Sequence, residues 1–79
     1  MEPKITSLVV RVIRESSGRE VVLAHEDALI STGYLDSMTM VSLVIELQTE
    51  FGVQFEASDM SVENFESVHA ISKLVQSRL

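Results

Sequence analysis

The sequence contains no cysteine and no tryptophan, and only one tyrosine and three phenylalanines. The absence of cysteine excludes a disulfide framework, a thiolate metal site and a cysteine nucleophile. Because aromatic residues are few, the core must be built from aliphatic side chains and methionine. No apolar run approaches the ~20 residues of a membrane-spanning helix, and no signal-peptide pattern opens the chain, so we predict a soluble, cytoplasmic protein.

Basic residues are absent from the middle of the chain. Lys and Arg occur only near the two ends, whereas residues 20–72 contain most of the acidic residues, and the formal net charge is −6. Such a surface repels nucleic-acid phosphates and anionic lipids, so we predict neither nucleic-acid binding nor membrane insertion. A basic protein partner is its natural complement, although a solvated acidic face is the alternative that needs no partner.

The length of 79 residues and the hydrophobic fraction of 46% predict one small domain over residues 1–79 with a sufficient core. Helical spacing of apolar residues begins directly after Pro3, which suits a first helical turn, and this helix ends at residues 16–18. Its apolar residues are Ile5, Leu8, Val9, Val12 and Ile13. A second helix is predicted from Ser37 to Phe51, closed by Gly52.

Two further helical elements follow the second helix. A brief one is predicted around residues 62–65, with Ser58 or Ser61 as its cap, and Ser67 is predicted to cap a final helix. The final helix has Val68, Ile71, Leu74, Val75 and Leu79 on one face. The sequence therefore predicts an all-α fold, a small up-down four-helix bundle with three main helices and a short third helix.

The connection between the first two helices, residues 19–36, contains two short apolar patches at residues 21–23 and 28–30. Neither patch is long or periodic enough for a helix or a strand. We predict a long ordered loop, pinned to the core by its aliphatic side chains, with a short helical turn near residues 27–30. A loop of this length in a compact domain usually has a function.

The segment from Gly33 to Met38 places Asp36 and Ser37 where the second helix should begin. The Ser37 hydroxyl has two interpretations. As the helix N-cap, it would accept a hydrogen bond from a backbone N–H of the first turn. As an attachment point, it would carry a phosphate ester that the positive end of the helix dipole favours.

The second helix has two apolar stripes. The wider stripe, which we predict to face the core, comprises Met40, Leu43, Val44, Leu47 and Phe51. The narrower stripe flanks Ser37 and comprises Met38, Val41 and Ile45. It is either a partly exposed docking surface or the second face of a helix that is buried on two sides.

The residues Gly-Tyr-Leu-Asp-Ser-Met at 33–38 resemble the Gly-x-x-Asp-Ser-Leu/Met/Ile motif of the acyl, D-alanyl and peptidyl carrier proteins. The similarity extends over roughly the whole chain, through Val44, Glu46, Leu47, Glu50, Phe51 to Val53 and Ser67-Val68. The resemblance implies that Ser37, preceded by Asp36, carries covalent 4′-phosphopantetheine. A chain without cysteine would then carry a thioester only on the thiol of that arm.

The resemblance also implies a function. The chain would be an acyl carrier protein that shuttles an acyl or aminoacyl group between partner enzymes, as a monomer. Its partners would be a phosphopantetheinyl transferase and acyl- or aminoacyl-activating ligases or synthases with basic docking surfaces. The predicted partner-binding residues are Met38, Val41, Ile45, Glu46 and Glu50. The alternative is an unmodified acidic helical interaction module in which Ser37 only caps a helix.

The cargo is predicted from two positions at which this sequence differs from the carriers of fatty-acid biosynthesis. Carriers of fatty-acid biosynthesis usually have acids at the positions of Thr39 and Ser42, which weakens a fatty-acid assignment here. We therefore predict a specialised carrier, in secondary metabolism or in amino-acid or short-acyl transfer, that a dedicated adenylating ligase loads.

The residue types of a hydrolase triad are present in Ser37, Asp36, His25 and His69. A small helical domain has little volume for an oxyanion hole and a water-excluding pocket, so we predict no enzymatic activity and no catalytic residues. No segment has the spacing of a calcium-binding loop, so we also predict no metal site.

Overall fold

The structure is a computed structural model that describes residues 2–24 and 26–79. Within these residues the regular elements are α1 (Glu2–Ser17), α2 (Ser37–Phe51), α3 (Val62–Phe65) and α4 (Val68–Arg78), with a 3₁₀ turn at Ala57–Asp59 between α2 and α3. The predicted all-α bundle of three main helices and one short helix is confirmed. No helix within the described ranges is long and apolar enough to cross a membrane.

The helix ends follow the local sequence. Gly18 and Gly52 adopt left-handed backbone angles (φ 74° and 67°) after α1 and α2, a conformation that costs glycine little because it lacks a Cβ. Ser61 caps α3 by accepting a hydrogen bond from the Asn64 N–H, so of the two predicted caps Ser61 is correct. Ser67 caps α4 in the same way, as predicted.

The core lies where α1, α2 and α4 meet. α1 packs against both other helices, and α3 packs against α4. The predicted apolar face of α1 is buried throughout, as are Leu43 and Leu47 of α2. The phenyl rings of Phe55 and Phe65 meet edge to face, with their centroids 6.4 Å apart. The remaining core residues are Leu29, Leu35, Val68, Ile71, Leu74 and Val75.

The loop between α1 and α2 is fixed to the bundle from Leu29 onward. The Leu29 N–H donates to the Glu66 carbonyl oxygen (2.7 Å), and the Leu35 N–H donates to the Leu29 carbonyl oxygen (2.9 Å). The side chains of Leu29 and Leu35 are buried. The helical turn predicted near residues 27–30 is wrong: Ala28 has no regular structure, and the chain forms a hydrogen-bonded turn from Ile30 to Gly33.

Candidate functional site

Asp36, and not Ser37, is the N-cap of α2. The Asp36 backbone is extended, and its Oδ1 accepts a hydrogen bond from the Thr39 N–H (2.8 Å). This hydrogen bond to the Thr39 backbone is the main reason why the pKa of Asp36 is lowered. The interpretation of Ser37 as the cap is therefore wrong by one residue, because both residue types cap helices well and only the backbone angles distinguish them.

Ser37 is the first residue of α2, and its side chain is exposed. Because Asp36 provides the cap, the Ser37 hydroxyl is not required to satisfy the first turn. It lies at the end of a 15-residue helix at which the dipole favours negative charge. The serine hydroxyl is thus accessible to a modifying enzyme without loss of the helix cap.

Thr39 anchors the beginning of α2 to the end of α1. Its side chain is buried, and its Oγ1 forms a hydrogen bond with Ser16 Oγ (2.8 Å). In the sequence, Thr39 is notable only as a position that lacks an acid. The signal that could have indicated burial is its position three residues after the cap, directly before the core stripe. This contact fixes the end of the helix on which Ser37 lies.

The second apolar stripe of α2 is exposed. Met38, Val41 and Ile45 have relative exposures of 80%, 61% and 56%, which excludes the interpretation of α2 as a helix buried on two sides. We call these three residues the apolar strip. Large apolar side chains this exposed, side by side next to Ser37, are typical of an interaction surface.

An open groove of about 580 Å³ runs along one edge of the apolar strip. Its lining includes Asp36, Ser37, Val41 and Ile45 on the α2 side. Met60 and Val62, both exposed, contribute to its wall from the segment before and within α3. The sequence does not predict that these two residues belong to the site, because their role depends on how the short third helix packs.

The wall with Met60 is held in place by Asp59. The Asp59 side chain is buried, its Oδ2 accepts a hydrogen bond from the Glu56 N–H (2.8 Å), and its Oδ1 pairs with the Arg78 guanidinium (2.5 Å). The bond from the Glu56 N–H, followed by the bond from Arg78, lowers the pKa of Asp59. Asn64 adds a hydrogen bond to the Asp59 carbonyl oxygen (2.9 Å).

The two acids predicted to bind partners lie on the α1 side of α2. Glu46 pairs with Arg11 (2.5 Å), and Glu50 pairs with Lys4 (2.7 Å). The bond and charge of Lys4 lower the pKa of Glu50. The structure therefore brings Asp36, Ser37 and the apolar strip together and places Glu46 and Glu50 on an adjacent face, where their role in partner binding stays a prediction.

Of the two histidines that could complete a hydrolase triad, the structure describes only His69. His69 lies in the first turn of α4, and its Nδ1 is 3.3 Å from Glu2 Oε2. His25 lies outside the described residues. Among residues 2–24 and 26–79 no group of three or more His, Cys, Asp or Glu side chains is arranged to hold a metal ion.

The site fits a covalent phosphopantetheine group. Ser37 would hold the group through an exposed hydroxyl, at a helix end that favours an anionic phosphate ester. The groove beside Ser37 is lined mainly by apolar side chains and is open to solvent. The residues present thus supply an attachment atom and an adjoining surface.

Comparisons with known proteins agree with this arrangement. The family model described as "Phosphopantetheine attachment site" matches residues 4–75. The D-alanyl carrier protein of Lacticaseibacillus casei (strain BL23) is 32% identical over 69 residues, which cover 86% of this chain and 85% of the relative. Aminoacyl carrier protein 1 of Bradyrhizobium diazoefficiens is 30% identical over 71 residues, which cover 90% of this chain and 78% of the relative.

Solved structures show the same fold. A chain in the crystal structure of the Bradyrhizobium japonicum glycine:carrier protein ligase, complexed with glycylated carrier protein, has a TM-score of 0.77 at 25% identity and covers 92% of this chain and 95% of that chain. A complex of the same ligase with its cognate carrier protein and an analogue of glycyl adenylate contains a chain with a TM-score of 0.78 at 26% identity, covering 98% and 97%. Members of the matched family are carriers and not enzymes, and they bear covalent 4′-phosphopantetheine. This chain belongs to that family, the phosphopantetheine-binding carrier proteins.

Proposed function

We propose that Ser37 is the residue to which 4′-phosphopantetheine is attached. The observation that carries the proposal is the exposed Ser37 hydroxyl at the first residue of α2, where Asp36 alone provides the cap. When bound, the group supplies the terminal thiol that holds the cargo as a thioester, which this chain cannot supply because it has no cysteine. Ser37 is a tether site, and the chemistry of loading belongs to the partner enzymes.

We propose an amino acid, or a short acyl group, as the cargo. The relatives named D-alanyl and aminoacyl carrier proteins, and the glycylated carrier in the structural comparison, support an aminoacyl group. Thr39 and Ser42 stand where fatty-acid carriers usually have acids, and the burial of Thr39 gives that position a structural role. A function in fatty-acid biosynthesis is therefore disfavoured, and a function in secondary metabolism stays a prediction.

We propose two partner enzymes that dock on the apolar strip beside Ser37. One is a phosphopantetheinyl transferase, and the other is an adenylating ligase that loads the cargo; the ligase complexes among the solved structures support the second. The basic docking surface proposed for both would complement α2, which contains Glu46 and Glu50 and no basic residue. The carrier would act as a cytoplasmic, monomeric single domain over residues 1–79.

The test is mass spectrometry of the protein produced together with a broad-specificity phosphopantetheinyl transferase. We expect the wild type to gain the mass of one phosphopantetheine group and Ser37→Ala to gain none, with both remaining folded. Ser58→Ala is the matched control, because Ser58 is also an exposed serine in a helical turn and should leave the modification intact.

Two results would refute the attachment at Ser37. The first is the absence of the modified mass from the wild type with a permissive transferase, which would favour an unmodified interaction module. The second is an equal mass gain in Ser37→Ala, which would place the attachment at another residue.

A further inference from the structure

The acids beside the apolar strip already have partners within the protein. Arg11 and Lys4 of α1 pair with Glu46 and Glu50 of α2, at 2.5 and 2.7 Å. All four side chains remain between about one third and three fifths exposed, since their relative exposures are 42% and 39% for the first pair and 59% and 37% for the second. Ion pairs this exposed contribute little to stability, so a competing cation can replace one of their members.

Glu46 lies within reach of a partner that covers the apolar strip. It directly follows Ile45, so its side chain is rotated by about 100° from that of Ile45 around the helix. A shallow cleft of about 380 Å³ between α1 and α2 has Met38 of the apolar strip and Glu46 in its lining. Glu15 of α1 lines the same cleft. The apolar strip and the first ion pair therefore belong to one continuous surface.

We propose that Arg11 and Lys4 act as intramolecular competitors for the basic groups of a docking partner. A lysine or arginine of the partner that approaches Glu46 must displace Arg11, and one that approaches Glu50 must displace Lys4. Each displacement exchanges one ion pair for another, so the gain from a basic contact is reduced by the pair that is lost. This inference rests on the proposed function, in which a basic partner docks on the apolar strip.

The consequence of this competition is selectivity. Residues 20–72 contain no cation, so without α1 the α2 surface would attract any basic protein. With Arg11 and Lys4 in place, Glu46 and Glu50 stabilise a complex only when the partner's cations lie close enough to replace Arg11 and Lys4. Arg11 and Lys4 are thus positioning residues that decide which partners bind.

The experiment measures the KM of a phosphopantetheinyl transferase with a basic docking surface for the unmodified carrier at low ionic strength. Arg11→Gln frees Glu46, and we expect it to lower the KM by about two- to fivefold, the range that an exposed ion pair allows. Arg14→Gln is the matched control, because it removes one positive charge from an exposed position on the same helix. The difference between the two variants should disappear at about 1 M salt, where the Debye length is about 3 Å.

The same substitutions made in a Glu46→Gln variant separate the local competition for Glu46 from the effect of net charge. In Glu46→Gln, the additional change Arg11→Gln should lower the KM no further than Arg14→Gln does. Lys4→Gln gives an independent test at Glu50, and it replaces Arg11→Gln if that variant does not melt cooperatively. Equal KM values for Arg11→Gln and Arg14→Gln in the wild-type background would overturn the inference while the modification of Ser37 still supports the carrier function. A wild type that is never modified would instead refute the function itself.

Discussion

The two apolar faces of α2 have similar side chains and opposite surroundings. Leu43 and Leu47 have no exposed surface because α1 and the rest of the core cover them, whereas Met38 and Ile45 are more than half exposed. The spacing of apolar residues therefore determines how many such faces a helix has. The neighbouring elements determine which of them is buried and which remains available for contact with another molecule.

The sharpest test of this comparison removes side-chain volume from each face. Leu47→Ala leaves a cavity in the core and should cost about 2–5 kcal/mol, which is enough to leave so small a domain largely unfolded or molten. Thermal unfolding followed by circular dichroism measures the effect.

The matched control on the other face is Ile45→Ala, which truncates an exposed side chain on the same helix. It should change the free energy of unfolding by no more than about 0.5 kcal/mol. A cooperative melt of Leu47→Ala near the wild-type temperature, or equal losses in the two variants, would contradict the assignment of the faces.

A charge on the exposed face should affect partners and not the fold. Val41→Asp puts a carboxylate into the wall of the groove beside Ser37, where docking would desolvate it without a compensating charge. We expect phosphopantetheinylation of Ser37 and subsequent loading to slow by about tenfold or more. The melting curve should stay close to that of the wild type, since Val41 is 61% exposed.

Val22→Asp provides the control for Val41→Asp, because Val22 is 98% exposed in the loop before α2 and gains the same charge. Its modification rate should match that of the wild type. Normal rates for a stable Val41→Asp would show that partners do not contact the apolar strip, and loss of its cooperative melt would show that Val41 supports the core.

The smallest expected effect concerns the N-terminal end of α2, the helix that carries both faces. Asp36→Ala removes the N-cap of α2 and should lower the melting temperature by several degrees, while Ser37→Ala should leave it nearly unchanged. Asp36→Asn should retain most of the stability, because an asparagine side chain also accepts the Thr39 hydrogen bond. A larger loss in Ser37→Ala than in Asp36→Ala would reverse the assignment of the cap.

Lowering the pH should reduce stability in the same way as removal of this cap. The pKa of Asp36 is lower in the folded state than in the unfolded chain, so its contribution to stability is complete above the unfolded pKa of about 3.9. The contribution is lost as the pH falls through the lower folded-state pKa. The protection factor of the Thr39 amide, which corrects its exchange rate for the intrinsic pH dependence, should fall over that pH range in the wild type and show less pH dependence of this kind in Asp36→Asn.

Local patterns predicted most of the fold. The periodicity of apolar residues gave the limits of α2 and the buried face of α1, because helical burial repeats along the sequence itself. The position of Ser37 at the beginning of α2 was also predictable, from Gly33 and the apolar residues that follow. The cap was misplaced by one residue, since neighbouring aspartate and serine are equally good candidates in sequence.

Contacts between distant residues could not be predicted. Arg11 and Glu46 are 35 residues apart in the sequence, and no sequence pattern predicts that they form an ion pair. In the sequence, Asp59 is indistinguishable from the surface acids. Its burial and its bond with Arg78 depend on where α4 ends in space. The exposure of the apolar strip likewise depends on packing, because both stripes of α2 satisfy helical periodicity.

The backbone bonds at Leu29 make the position of Ser37 independent of the length of the chain before them. Leu29 is held by Glu66 and in turn holds Leu35, so the last part of the loop is fixed by the α3–α4 junction and not by α1. Doubling the length of a flexible loop costs only about 0.6 kcal/mol. Insertions between Leu23, which like Val21 packs against the core, and Ala28 should therefore be tolerated in evolution and in engineering. A tag or a small binding peptide placed there would leave Ser37 and its groove as they are.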